Sequence, residues 1–205
     1  GFRFETLQHR LRELAYLNSG VVIRLIDERV DGSGRIREEK YHDERGLIAY
    51  VSHLNASKRT ESSIIHLTAS DEAQKIRAEI AMQYTDATSE NLLAFGNNIF
   101  NPDGGTHVSG FKTALTRTIN GYAKRNNLLK DLTPTGDDLR EGLTAIVSVK
   151  IGDPQFNNQT KEKLLNQEAE SFVSQMVSEG LGAWLDEHPS EAKQIALKAA
   201  LAAQA

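Results

Sequence analysis

The 205-residue sequence contains no cysteine, only four prolines and only 15 glycines. The absence of cysteine excludes disulfide scaffolds, thiol nucleophiles and the common zinc modules with cysteine ligands. With 39% hydrophobic and 25% charged residues, the chain resembles neither a disordered segment nor a collagen-like repeat. It is long enough to fold around a core that needs no covalent or metal cross-link.

Long hydrophobic runs and an excess of positive charge are also missing. No stretch approaches the roughly 18 consecutive apolar residues of a membrane span, and no secretory signal opens the chain. We therefore expect a soluble protein in a reducing, cytoplasmic setting with no membrane partner. Because 28 acidic side chains outnumber 24 basic ones, any contact with nucleic acid must use a local patch. The start at Gly1, without Met and close to a helical pattern, suggests a piece of a longer protein.

The first half of the chain mixes helical and strand patterns. Leucines at a spacing of three to four residues predict a first helix that ends near Asn18. The next predicted elements are a hairpin of strands 21–26 and 36–41, a short helix 46–54, a strand 64–68, a strand 75–84 with one buried and one wet face, and a strand 91–95 that forms a second hairpin after it.

The second half is predominantly helical. An apolar stripe predicts a central helix from Thr106 to near Asn126, and Leu143–Lys150 is apolar on both faces, as expected inside a sheet. A long helix is predicted over 165–185. Pro189-Ser190 then starts an Ala-rich helix, with serine as its cap and little to pack against. Strands followed by helices, without strict alternation, favour an α+β domain.

No motif of a self-sufficient enzyme is present: the Walker phosphate loop, G-x-S-x-G and H-E-x-x-H are all missing. The six histidines lack metal-ligand spacing, so we interpret each as a surface or hydrogen-bonded residue; they are His9, His42, His53, His66, His107 and His188. The carboxylates of Asp137, Asp138 and Glu141 could hold Mg²⁺. Carboxylates near a helix start are more often caps, which is the interpretation we favour, so no metal site is predicted.

The segment Asp153–Lys161 is a candidate anion site. It is predicted to join the buried strand to the long helix, which places Gln159 and Lys161 beside the unpaired N–H groups of that helix. The alternative is that Asn158 or Thr160 caps the helix and Lys161 is solvated. From the residues alone this alternative is favoured, because most helices start with such residues.

The central helix carries two further candidates. Asp103–His107 enters it through two glycines, either as an anion cradle or as an ordinary cap with a tight turn. Polar residues then recur every four positions opposite the apolar stripe, forming a partly basic ridge of Lys112, Thr116, Asn120 and Lys124. The ridge suits contacts to phosphate, although a solvated helix face is the favoured interpretation without further information.

Four segments resemble the DNA gyrase B family of bacterial type IIA topoisomerases. They are RLRELAYLNSG at 10–20, DGGTH at 103–107, TGDDLREGL at 135–143, and VSVK at 147–150 continued by Asp153-Pro154, Phe156 and Gln159-Thr160-Lys161. These segments occur in the family's order and span nearly the whole chain. The third is more similar to gyrase than to topoisomerase IV.

The resemblance covers the transducer domain, the second half of the family's ATPase region. It implies one domain over 1–205, with an N-terminal helix (1–18), an α/β core (19–158) and C-terminal helices (159–205). The preceding ATP-binding domain and the following cleavage domain have no counterpart here. The implied fold is that of the second domain of ribosomal protein S-five, a mixed sheet backed by helices with a left-handed crossover.

The resemblance also implies a role for the Gln-x-Lys segment. Gln159 and Lys161 would reach the nucleotide of the adjacent ATPase domain, where the lysine contacts the γ-phosphate. The full enzyme would hydrolyse ATP, with Mg²⁺, to drive DNA strand passage and negative supercoiling. The fragment alone is expected to be inactive and to bind no cofactor.

Partners are implied in the same way: DNA, DNA gyrase A and a second copy of gyrase B as a homodimer. Lys112, Thr116 and Lys124 become candidate contacts to the DNA backbone. Lys112 stands where many family members are expected to carry arginine. The compact ammonium of lysine there replaces the planar guanidinium of arginine, which can donate two parallel hydrogen bonds. The alternatives are a stand-alone interaction or nucleic-acid-binding module with no ATP role, or the corresponding ATPase subunit of topoisomerase IV.

Overall fold

The computed structural model describes residues 1–205. None of its helices combines the length and the apolar character needed to cross a membrane. The elements in chain order are α1 (Phe4–Leu17), β1 (Ile23–Asp27), β2 (Arg37–Tyr41), α2 (Leu47–Leu54), β3 (Ile65–Asp71), β4 (Ile76–Tyr84), β5 (Asn91–Gly96), β6 (Ile99–Phe100), α3 (Thr106–Arg125), α4 (Gly136–Arg140), β7 (Leu143–Ile151), α5 (Gln167–Glu187) and α6 (Pro189–Gln204).

Five strands form a mixed sheet in the order β3-β4-β7-β5-β6, which confirms the α+β fold with a mixed sheet backed by helices. β7 is antiparallel to β4 and parallel to β5. The predicted hairpin of 75–84 with 91–95 is therefore wrong. β7 is apolar on both faces and takes the central position between them, so β5 turns back on the short β6 instead.

Helices cover both faces of this sheet. α3 and α5 pack on one face and enclose the larger core, while α2 covers part of the other. The prediction that 75–84 has one wet face is wrong for its second half. Gln83 is only 7% exposed, and it accepts a hydrogen bond from Nδ2 of Asn55, at the end of α2, at 2.9 Å.

The predicted hairpin near the N-terminus is present, but it stands apart from the five-stranded sheet. β1 and β2 pair only with each other, antiparallel from Ile23 with Tyr41 to Asp27 with Arg37. The hairpin packs against α1. Val21, Val22 and Ile26 remain 45%, 51% and 44% exposed, so one apolar surface of this unit has no cover within the chain.

The C-terminal helix packs better than its composition suggested. Pro189 occupies the first turn of α6 and His188 is the N-cap, so Ser190 is not the cap. Ala192, Ile195 and Ala199 are at most 3% exposed and belong to the main core. The expectation of little to pack against is wrong, because small side chains let α6 lie close to α3, α4 and α5.

A close approach of α3 and α5 occurs at Gly110. A Cβ built at this position would lie 2.4 Å from the carbonyl oxygen of Glu170, which is backbone and cannot move aside cheaply. Gly121, on the same helix, has free space, since the nearest atom to its built Cβ is Nη1 of Arg125 at 3.4 Å. Alanine substitutions at these two glycines therefore distinguish the effect of helix–helix packing from the effect of helix propensity.

We predict that Gly110→Ala lowers the free energy of unfolding, because overpacking costs about 1–3 kcal/mol. Gly121→Ala should raise it by about 0.5–1 kcal/mol, the ordinary gain of alanine over glycine in a helix. Urea unfolding of both variants checks the pair. Equal effects at the two positions would contradict the close packing of α3 on α5.

Candidate functional site

The segment that carries Gln159 and Lys161 is a loop well before α5. The helix begins at Gln167 with Asn166 as its N-cap. The predicted anion site on its free N–H groups is therefore wrong, and neither Asn158 nor Thr160 caps it. Leu164 is fully buried, and its backbone pairs with Phe156 and Gly105, so the residues before it belong to a loop and not to α5.

Residues 156–164, here called the QTK loop, fold back on themselves. Phe156 and Leu164 pair across its base as an antiparallel bridge. Above them, the amide of Asn157 donates to the carbonyl of Lys163 at 3.1 Å, and the amide of Lys163 donates to Oδ1 of Asn157 at 3.1 Å. Lys161 closes the tip, since its amide donates to the carbonyl of Asn158 at 3.1 Å.

The tip presents two polar side chains to the outside. Gln159 and Lys161 are both exposed, and Lys161 has no carboxylate partner within ion-pair distance. The nearest aromatic group to its ammonium is Phe156, whose ring centroid lies 5.7 Å from Nζ. Because an unpaired ammonium and a carboxamide both donate hydrogen bonds, this tip is suited to an anion presented by another surface.

The glycine-rich segment Asp103–His107 supports the QTK loop from below. The amide of Asp103 donates to the carbonyl of Glu162 at 2.9 Å, Leu164 donates to Gly104 at 3.1 Å, and Thr106 donates to Leu164 at 3.1 Å. Of the two sequence interpretations, the tight turn is confirmed. The amides of Asp103 and Thr106 are bound by the loop, so these two N–H groups are not open to an anion.

Gly105 makes this pairing possible. Its φ is 139°, and a built Cβ would lie 2.3 Å from the carbonyl oxygen of Leu164. Two motifs that lie far apart in the sequence thus share one backbone contact, where no side chain fits.

The polar ridge of α3 is only partly on the surface. Lys124 is exposed, whereas Lys112 and Thr116 are half-buried. The hydroxyl of Thr116 donates to the carbonyl of Lys112 at 3.0 Å, and Nδ2 of Asn120 donates to the carbonyl of Pro134 at 2.9 Å. The ridge was predicted to lie opposite the apolar stripe. The favoured interpretation, a solvated helix face, is wrong for Thr116 and Asn120, because the segment that leads into α4 covers them.

Asp138 takes part in the N-terminal cap of α4, as the sequence indicated, whereas Glu141 lies at the C-terminal end of this helix, so the cap interpretation is wrong for it. The hydroxyl of Thr135 accepts from the amide of Asp138 at 3.3 Å, and the amide of Thr135 donates to Oδ2 of Asp138 at 2.8 Å. Asp137 pairs with Arg140 at 2.7 Å. No group of three or more His, Asp or Glu side chains is arranged to hold a metal ion.

Two polar residues near the loop, His107 and Asn101, are buried, and their sequence context did not predict this. His107 is fully buried and neither ring nitrogen has a partner, so its interpretation as a surface or hydrogen-bonded histidine is wrong. Its four-residue spacing to Phe111 and Leu115 was the available signal. Asn101, only 2% exposed, donates from Nδ2 to the carbonyl of Lys161 at 2.6 Å. No sequence pattern indicated this contact.

Comparison with known sequences gives a consistent result. A family profile described as DNA gyrase B matches residues 46–205. The gyrase B protein of Halalkalibacterium halodurans is 45% identical over the whole chain, which covers 32% of that protein. The Myxococcus xanthus gyrase B is 46% identical over 96% of the chain and 24% of its own length. The chain spans between 24% and 43% of the length of such curated relatives.

Solved structures agree. The chain is similar to the 43K ATPase domain of Thermus thermophilus gyrase B, solved in complex with an aminocoumarin, with a TM-score of 0.87 and 35% identity. That match covers 99% of this chain and 54% of the other. The topoisomerase IV ATP-binding domain of Francisella tularensis matches with a TM-score of 0.82 and 29% identity, over 100% and 54% of the two chains.

We predict that His107 makes stability depend on pH. Burial lowers its pKa to about 4 from an ordinary value of 6.5. Below pH 6.5 the unfolded chain takes up a proton that the folded chain refuses, so the free energy of unfolding falls as the pH drops towards 4. The loss from this residue is on the order of 3 kcal/mol.

Urea unfolding between pH 7 and pH 4 checks this prediction. His107→Leu and His107→Gln cannot take up the proton, so both should gain stability relative to the parent as the pH falls, whatever their stability at pH 7. A constant difference between parent and variants across this range would show that His107 is protonated equally well in the folded chain.

Proposed function

Since the chain belongs to the DNA gyrase B family, we propose that it is the transducer region of gyrase B, which senses ATP bound by residues outside this chain. The observation that carries the proposal is the QTK loop, whose base is fixed by backbone hydrogen bonds and whose tip presents an unpaired lysine. The matched Thermus thermophilus ATPase domain extends well beyond the region that this chain covers, which leaves room for a nucleotide site elsewhere.

Within the range 1–205 we place the transducer unit proper at residues 46–205. The family profile begins at residue 46. The preceding part, α1 with the β1–β2 hairpin, shares no strand pairing with the main sheet and keeps an exposed apolar surface. We therefore assign residues 1–45 as an edge on which the ATP-binding part of the longer protein packs.

The loop works as a sensor through a contact that exists in only one state of the nucleotide. Lys161 would donate to the γ-phosphate of bound ATP, with Gln159 as a neutral second donor. Loss of that phosphate removes the partner. The loop follows the central strand β7 and is hydrogen-bonded to the entry of α3. A displacement of its tip is therefore passed on to the core that these two elements belong to.

We propose no magnesium site within this chain. No acidic cluster here fits the ion, since the carboxylates of α4 are used by the cap and by Arg140. A magnesium ion bound with the nucleotide would be held by residues outside the chain.

The wider function follows the family. We assign the whole protein to ATP-driven DNA strand passage and negative supercoiling in the cytoplasm, with gyrase A and a second copy of gyrase B. Lys112 and Lys124 would contact the DNA backbone, and Thr116 would hold the backbone of Lys112. The ATPase subunit of topoisomerase IV is the second candidate, because the matched ATP-binding domain of that enzyme has the same fold at lower identity.

We predict that Lys161→Ala in the full-length protein lowers kcat for ATP hydrolysis strongly and leaves folding nearly unchanged. A contact that strengthens as charge builds on the γ-phosphate affects rate more than ground-state binding. The exposed side chain contributes only a long contact to Phe156, so the free energy of unfolding should change by less than about 1 kcal/mol. Gln159→Ala should act in the same direction but less.

Steady-state kinetics beside a melting curve measure both effects. Lys163→Ala is the matched control, since Lys163 lies in the same loop, is exposed and carries the same charge. It should retain normal turnover. A Lys161→Ala protein with the parent's kcat, or one that loses activity only by unfolding, would remove the sensor role.

A separate prediction concerns DNA. Replacing Lys112 and Lys124 together with alanine should weaken DNA binding by the full-length protein in complex with gyrase A. The plot of log K against log salt should become shallower by about 0.9 for each phosphate that is no longer contacted. Lys58→Ala, which removes a lysine just after α2 on the opposite face of the sheet, should keep the parent's slope. An unchanged slope in the double variant would identify the ridge as a solvated helix face.

A further inference from the structure

Asn101 is the only residue outside the QTK loop whose side chain hydrogen-bonds to it. Nδ2 donates to the carbonyl of Lys161 at 2.6 Å. The Asn101 side chain is only 2% exposed, whereas Lys161, at the other end of the bond, is an exposed residue. Every other hydrogen bond to the loop from outside it is made by backbone, through the segment Asp103–Thr106.

The backbone of Asn101 is itself fixed on two sides. Its amide donates to the carbonyl of Ala94 in β5 at 2.8 Å, and its carbonyl accepts from the amide of Gly104 at 2.9 Å. Oδ1 is buried without a partner. The carboxamide therefore has a single strong contact, and that contact connects the sheet to the tip of the loop.

Lys161 needs such a contact because of its backbone conformation. Its φ is 57°, in the left-handed region that few residues other than glycine adopt. A strained conformation persists only where its surroundings hold it. Here the amide of Lys161 is held by Asn158, inside the loop, and its carbonyl is held by Asn101, outside it.

We propose that Asn101 is a positioning residue for the phosphate-sensing loop: its buried amide holds the backbone of Lys161, and so sets where the lysine ammonium meets the γ-phosphate. This inference rests on the proposed function of Lys161. Asn101 does not touch the nucleotide. Its loss leaves the lysine present but free to take other backbone conformations, so the ammonium is no longer presented at one place.

The first test measures the loop without nucleotide. Hydrogen exchange at the amides of residues 158–162 in the full-length protein should quicken at least fivefold in Asn101→Leu, which keeps the branched shape but removes the donor. Asn101→Ala should behave in the same way and serves if the leucine variant does not fold. Asn55→Leu removes an equally buried carboxamide that bonds Gln83 and Thr144, away from the loop, and should leave this exchange unchanged.

The second test measures turnover and separates positioning from general destabilisation. Asn101→Leu should lower kcat several-fold with little change in KM, whereas Asn55→Leu should keep the parent's kcat even where it melts lower. Adding Asn101→Leu to Lys161→Ala should cause no further loss, because Asn101 acts only through Lys161.

The outcomes separate the two claims. Parental exchange and kcat in the Asn101 variants, beside a large loss in Lys161→Ala, would overturn the positioning role and leave the sensor intact. A full additional loss in the double variant would also overturn it, because Asn101 would then act by another route. A normal kcat in Lys161→Ala would overturn the sensor, and the positioning role with it.

Discussion

The backbone of Gly105 lies against the backbone of Leu164, in a space where a Cβ would come within 2.3 Å of a carbonyl oxygen. This contact joins the entry of α3 to the base of the QTK loop, and three backbone hydrogen bonds in all complete the pairing. A side chain at this position would separate the two segments. The loop would then lose the support that gives its tip a defined position, and the proposed sensor depends on that position.

The central strand supplies the other half of this support. β7 is hydrogen-bonded on both sides, and its last residue, Ile151, is bound by both polar groups of the Asn97 side chain at 2.8 Å each. The end of β7, from which the chain continues to the loop, is therefore fixed to the rest of the sheet. When an exposed lysine on a rigid base binds a phosphate, the whole domain can move with it. A lysine on a free loop would move alone and leave the domain where it was.

The periodicity of apolar residues predicted helices and strands, which depend on neighbouring residues. It did not predict the strand order or the long-range contacts, which depend on residues far apart in the sequence. β7 and α3 followed from their apolar patterns, but the short connection between the predicted strands 75–84 and 91–95 could not reveal that β7 lies between β4 and β5. Leu165 fitted the apolar pattern of the long helix, and that pattern did not reveal that the adjacent Leu164 is buried in the core. The bond from Asn101 to Lys161 joins a side chain to a distant backbone carbonyl, which no pattern of residue types records. The role of Gln159 and Lys161 came from the family resemblance.

The most direct test of the sensor is a crystal structure of the full-length protein with a non-hydrolysable ATP analogue. We expect Nζ of Lys161 to leave the ring of Phe156 and to lie at about 2.7–2.9 Å from a γ-phosphate oxygen. The carbonyl of Lys161 should keep its hydrogen bond from Asn101 in that structure. A structure with the nucleotide bound and the ammonium still over Phe156, out of reach of the γ-phosphate, would contradict the sensor role.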